Sequence, residues 1–149
     1  MSSDETVQAL LLQMRLMEEY YQELNSREAI LLRLYSENKA SLSSITSLKD
    51  ANSASLLVPI GGGAYIPVIY NGGGKLVVDV GANVSLEKTP EETVTYLKDR
   101  VKEIEEALRT VSAQKQDVES RLEFYQQQLN SLTAKQAAEK PSQPPPGDA

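Results

Sequence analysis

Apolar residues along the chain fall into two long stretches of helical period, separated by a short stretch in which the period drops to two. From Val7 the steps alternate between three and four, so that Val7, Leu10, Met14, Met17, Tyr21, Leu24, Leu31, Tyr35, Leu42 and Ile45 hold the a and d positions of a heptad. Only Glu28, Asn38 and Lys49 interrupt that seam before Asn52. No Gly or Pro occurs from about Asp4 to Ala51, and an uninterrupted helix of that extent is about 70 Å long. The second series is cleaner: Val94, Leu97, Val101, Ile104, Leu108, Val111, Lys115, Val118, Leu122, Tyr125, Leu129 and Leu132, with Lys115 its one polar member. Its start is marked by Thr89-Pro90-Glu91-Glu92, an N-cap, a Pro at the first helical position and a Glu at the third. The acids there complement the positive end of the helix dipole.

Between the two series lie β-branched and aromatic runs: Leu56-Leu57-Val58-Pro59-Ile60, Ala64-Tyr65-Ile66-Pro67-Val68-Ile69-Tyr70, Lys75-Leu76-Val77-Val78-Asp79-Val80 and Val84-Ser85-Leu86-Glu87. Gly61-Gly62-Gly63, Asn71-Gly72-Gly73-Gly74 and Gly81-Ala82-Asn83 separate them and are expected to form flexible hairpin turns, giving four short strands in two hairpins. Gly72-Gly73-Gly74-Lys75 is not a phosphate loop, because Leu76 and a strand follow the Lys where a Ser or Thr and a helix are needed. Pro59 and Pro67 lack an N–H and suit edge strands. So small a sheet cannot bury both faces by itself, and unpaired edges beside apolar strands invite another chain. Leu57, Val58, Ile60, Ile66, Val68, Leu76, Val77, Val78 and Val80 are therefore the expected assembly residues.

The two helical patterns are nearly equal in length, so folding back antiparallel seals one apolar stripe against the other and brings the termini together at an open tip. A parallel homodimeric coiled coil is the structural alternative, but the central strands would interrupt its rod. The expected fold is mainly α with a small β part, a long antiparallel two-helix coiled-coil hairpin joined by two central β-hairpins that pair with other chains. Its segments are a helix at 4–53, the hairpins as assembly region at 54–88, a helix at 89–136 and a disordered Pro-rich tail at 137–149. Interleaved charges such as Lys98-Asp99-Arg100 mark ordinary solvated helix faces.

Composition narrows the functions available. Aromatic residues make up 5% and Trp is absent, which leaves little bulk for a globular core. The chain has no Cys and no His, so disulfides, thiolate sites, the commonest general base and the commonest metal ligand are all missing. No catalytic constellation stands out, and no cofactor or metal is expected. A net charge of −6 disfavours nucleic acid and anionic membrane as partners. The acidic start Met1-Ser2-Ser3-Asp4-Glu5 is unlike a secretory leader and no apolar run could span a bilayer, which suggests a cytoplasmic location. Pro141-Ser142-Gln143-Pro144 has the bare PxxP spacing, with a solvated tail as the default reading.

Leu57-Val58-Pro59-Ile60, Tyr65-Ile66-Pro67, Val77-Val78-Asp79-Val80-Gly81 and Leu86-Glu87-Lys88-Thr89 running into a capped coiled-coil helix together resemble the α-type subunits of the prefoldin family, over almost the whole chain. The resemblance implies assembly with β-type prefoldin subunits as an α2β4 hexamer, strands forming a double barrel and helical hairpins hanging from it. It also implies two β-hairpins where the β type has one, ATP-independent capture of unfolded client proteins, and their delivery to a group II chaperonin. The expected client-binding tip combines Leu10, Leu11, Leu12 and Met14, with Val7, Leu16 and Met17 nearby, and Phe124, Tyr125, Leu129 and Leu132. Three consecutive leucines cover more of a helix surface than a two-helix seam can shield. Val7, Leu10, Met14 and Leu129 equally suit plain closure of the seam, whereas Leu11 and Leu12 lie off it. A structural coiled-coil adaptor or tether, oligomerising through its strands with an inert tip, is the competing function.

Overall fold

A computed structural model describes residues 2–139. The elements run α1 (Ser3–Asp50), β1 (Ser53–Gly61), β2 (Ala64–Asn71), β3 (Leu76–Gly81), β4 (Val84–Lys88) and α2 (Pro90–Glu139). Helix α1 opens on a cap that the sequence pattern had not singled out: the Glu5 N–H donates to Ser2 Oγ at 3.3 Å, in a Ser-x-x-Glu frame. Helix α2 opens as expected, the Glu92 N–H donating to Thr89 Oγ1 at 3.2 Å with Pro90 buried at the first helical position. Thr93, 2% exposed, turns its hydroxyl back to the Thr89 carbonyl at 2.8 Å and so enters the core without an unmet polar atom. Two boundaries differ from expectation. Helix α1 stops at Asp50 and β1 takes up Ser53, while α2 continues through 137–139, where Ala137 and Ala138 favour helix. The rest of the Pro-rich segment, with Pro141 and Pro144, lies outside the described residues.

The chain divides into two compact units. The first joins the part of α1 up to Ala29 with the part of α2 from Arg109 onward. Its helices run antiparallel, since partners on α2 descend as those on α1 rise. Gln136 Nε2 donates to Ser3 Oγ and Asp4 Oδ1 at 3.0 and 3.1 Å, the Tyr21 phenol donates to Glu119 Oε1 at 2.6 Å, and Lys115 Nζ meets Glu28 Oε1 at 3.2 Å. Leu24 and Val118 are almost completely sealed and Val111 is buried. Complete burial of one such side chain contributes about 1.5–3 kcal/mol.

The two charged residues that interrupt the seams of this unit, Glu28 on α1 and Lys115 on α2, thus face each other, and both side chains are less than one third exposed. Lys115 Nζ also lies 5.3 Å from the centre of the Tyr21 ring. The hydrogen bond to Glu28 raises the Lys115 ammonium above its ordinary value of 10.5, against the opposing effect of desolvation. The hydrogen bond to Glu119 likewise raises the Tyr21 phenol above 10.0.

In the second unit, Ile30 to Leu108, Leu97, Val101 and Ile104 of α2 are buried, and Lys39 and Leu42 of α1 border the same groove as Val101 and Lys102 of α2. Asn38, which interrupts the α1 seam here, donates its amide to the Leu34 carbonyl at 2.7 Å and so satisfies itself within its own helix. The strands form two separate antiparallel pairs, β1 with β2 and β3 with β4, so no barrel closes within the chain. Leu56 faces Val68, Leu57 faces Pro67 and Val58 faces Ile66. Every strand of a two-stranded sheet is an edge, which is why Pro59 and Pro67 fit.

Gly62 and Gly63 in the first hairpin, and Ala82 and Asn83 in the second, all have positive φ, the backbone of the tight turns that match strand twist. Asn71-Gly72-Gly73-Gly74, however, is not a hairpin turn. It connects the two hairpins and folds against the end of α1, where the Gly72 N–H donates to the Asn52 carbonyl at 3.1 Å. A Cβ on Gly72 would overlap the carbonyl oxygen of Ala51, so glycine is required there by close backbone approach.

Two outcomes follow. Gly72→Ala is expected to lower unfolding free energy by about 1–3 kcal/mol in urea titration, since the neighbour it meets is backbone and cannot rotate away. Lys115→Met alone leaves Glu28 without its partner and is expected to lower Tm further than Lys115→Met with Glu28→Met. The raised Lys115 and Tyr21 values mean the folded state holds those protons more tightly. Their stabilisation is complete below about pH 10 and is lost as pH rises through the folded-state values, so a Tm profile across that range should fall more steeply for the parent chain than for the double variant.

Candidate functional site

The structure separates the residues expected at the tip into two groups. Leu10, Met14, Tyr125, Leu129 and Leu132 sit half-buried in the seam, with Val7 and Met17. Leu10 and Leu132 border one groove together with Thr6, Gln128 and Ser131, so the seam closes across both helices at this end. Leu11, Leu12 and Phe124 are about half exposed and take no part in it. The heptad explains the division, since Leu11 is at e, Leu12 at f and Phe124 at c, positions that point beside or away from the partner helix.

Leu16 and Tyr20 extend this outer surface, at 50% and 37% exposure. Leu12, Leu16 and Tyr20 are spaced by four and form one row along α1. Beside it, Gln8, Ala9, Leu11, Leu12 and Arg15 line a shallow groove. Phe124 lies against Tyr125, with ring centres 6.0 Å apart and planes tilted by 57°. Tyr20 was missed in the sequence because it falls outside the leucine triplet, although its spacing from Leu12 and Leu16 carried the signal.

Among the residues expected to assemble with other chains, Leu57, Val58, Ile60, Ile66, Val68 and Val77 are exposed, whereas Leu76, Val78 and Val80 alternate with exposed neighbours and are half-covered. Leu56, Tyr65, Ile69, Val84 and Leu86 are also exposed and had not been selected, Ile69 most of all at 75%. Their strands could be identified by period, but the residues expected from both faces were too few, because a lone two-stranded sheet covers little of its own apolar surface. This surface offers apolar contact, not chemistry. Among the described residues no cluster of His, Cys, Asp and Glu could hold a metal ion, and no helix is long and apolar enough to cross a membrane.

The sequence pattern of the family described as Prefoldin subunit matches residues 14–135. The chain is 38% identical to prefoldin subunit alpha of Nitrosopumilus maritimus, across 96% of this chain and 97% of that one. It is 28% identical to prefoldin subunit alpha of Archaeoglobus fulgidus, across 91% of this chain and all of that one. Among solved structures it resembles filamentous PFD from Methanocaldococcus jannaschii, with TM-score 0.50 and 26% identity over 80% of this chain and 94% of that one. It also shares its fold with the prefoldin beta subunit from Thermococcus strain KS-1, with TM-score 0.58 and 19% identity over 91% and 94%.

The division between seam and outer surface has a measurable consequence. Leu11→Ser with Leu12→Ser should change unfolding free energy by no more than about 0.5 kcal/mol per site in urea titration, as surface substitutions do. Leu24→Ala, at a completely buried seam position, should cost about 2–5 kcal/mol.

Proposed function

The chain belongs to the prefoldin family, and from that premise we propose that it is the α-type subunit of an ATP-independent holdase. Family membership supports a chaperone-subunit role rather than an enzymatic one. The observation that carries the proposal is the exposed apolar surface of Leu11, Leu12, Leu16, Tyr20 and Phe124, which the coiled-coil seam leaves unused. A patch of this kind binds non-native chains through apolar burial with little sequence preference. Several subunits acting on one client supply avidity, so each contact stays weak and reversible, and release needs no nucleotide.

The open strands are the assembly surface in this proposal. Four edges with apolar residues on both faces pair with β-type subunits in an α2β4 hexamer, closing a barrel that one chain cannot close. Clients held at the tips pass to a group II chaperonin in the cytoplasm. A tether that oligomerises through the same strands is the rival reading, supported by a seam that already closes with Leu10 and Leu132.

Light scattering distinguishes the two. A denatured protein diluted into nucleotide-free buffer should remain unaggregated with near-stoichiometric hexamer, and Leu11→Ser with Leu12→Ser should weaken that protection while the hexamer mass is unchanged. No protection by a confirmed hexamer would favour the tether.

A further inference from the structure

The exposed leucines of α1 are accompanied by carboxylates at a fixed distance. Glu18 follows Leu11, Glu19 follows Leu12 and Glu23 follows Leu16, each by seven residues and so on the same face two turns along, about 10 Å away. Up to Ala29, α1 contains Asp4, Glu5, Glu18, Glu19, Glu23 and Glu28 but only Arg15 and Arg27. Some of this negative charge is already engaged: Glu23 pairs with Arg27 at 2.7 Å, Glu28 with Lys115 at 3.2 Å, and Asp4 accepts from Gln136 at 3.1 Å. Glu18 and Glu19 are exposed and form no ion pair among the described residues.

Resting on the holdase reading, we infer that this face of α1 selects non-native segments in which an apolar residue is followed by Lys or Arg about three residues later. An unfolded chain in the polyproline II conformation has three residues per turn and rises about 3.1 Å per residue, so residues three apart share a face about 9 Å apart and match the spacing from Leu11 to Glu18 or from Leu12 to Glu19. The apolar side chain covers the leucine while the cation meets Glu18 or Glu19, adjacent carboxylates that have Arg15 as the one cation within four residues of them along α1. A polyanion is repelled from this face, and so is a second copy of this acidic chain.

The test uses the hexamer with a β-type partner and two fluorescently labelled unfolded peptides. They are alike in length and apolar residues, but one carries Lys and the other Glu three positions after each apolar residue. Anisotropy at low salt should show the Lys peptide binding about fivefold more tightly, the scale of one or two exposed ion pairs. The ratio should approach one at about 1 M salt, where the Debye length falls to about 3 Å. Glu18→Gln with Glu19→Gln should bring the ratio near one at low salt as well. Equal binding of the two peptides by the parent hexamer, or a preference that survives the Glu→Gln changes, overturns the inference and leaves the holdase reading standing. Failure to bind either peptide, with no protection in light scattering, overturns both. A change in hexamer mass with Leu11→Ser and Leu12→Ser would show the face to be an interface between copies, which also overturns the inference.

Discussion

Helix pairing through an apolar seam is the constraint on which each of the two units of this protein depends. Neither α1 nor α2 has a globular core to dock on, so each is stabilised by what the other covers. A seam of Leu, Val and Ile is nearly self-similar under a slip of one heptad, and apolar burial by itself tolerates several registers. The Glu28–Lys115 contact removes that freedom. A slip would leave two charged groups against apolar neighbours, each without the hydrogen bond it now has. The pair adds register more than raw stability, and Tyr21 and Glu119 extend the polar network along the same stretch.

At the strands the problem is reversed, because these residues cannot be satisfied within the chain. Two-stranded sheets leave every strand with an open edge and most apolar strand residues exposed, Leu76, Val78 and Val80 being half-covered. The turns nevertheless hold each hairpin in register, through positive-φ pairs at Gly62-Gly63 and Ala82-Asn83. Gly72 sets the connection between hairpins against the residues that follow α1, through its N–H to the Asn52 carbonyl and its close approach to the Ala51 carbonyl. In the proposed assembly, oligomerisation supplies the burial that the single chain lacks.

Exposed apolar surface on the helices has a different character. On α1 the exposed leucines at e, f and c, Leu11, Leu12 and Leu16, lie off the seam and are each followed by a carboxylate seven residues on. This keeps the patch narrow and charged at its margins, which limits self-association while leaving each leucine accessible. Weak contacts of that kind suit the reversible holding proposed above.

Periodicity determined most of the architecture. Period 3.5 on both sides of period 2, with a capped start at Thr89, was enough to place two helices and four strands, because backbone geometry ties side-chain direction to spacing. The same frame separated Leu11 and Leu12 from Leu10 and Met14. Which polar interruptions would meet was decided only by the fold, since Glu28 and Lys115 lie 87 residues apart and only antiparallel register brings them together. The role of Asn71-Gly72-Gly73-Gly74 was likewise hidden: a glycine chosen for a turn and one chosen because a carbonyl lies against it are spelled alike. The strand face needed structure too, because alternation shows which residues share a face but not whether anything covers it.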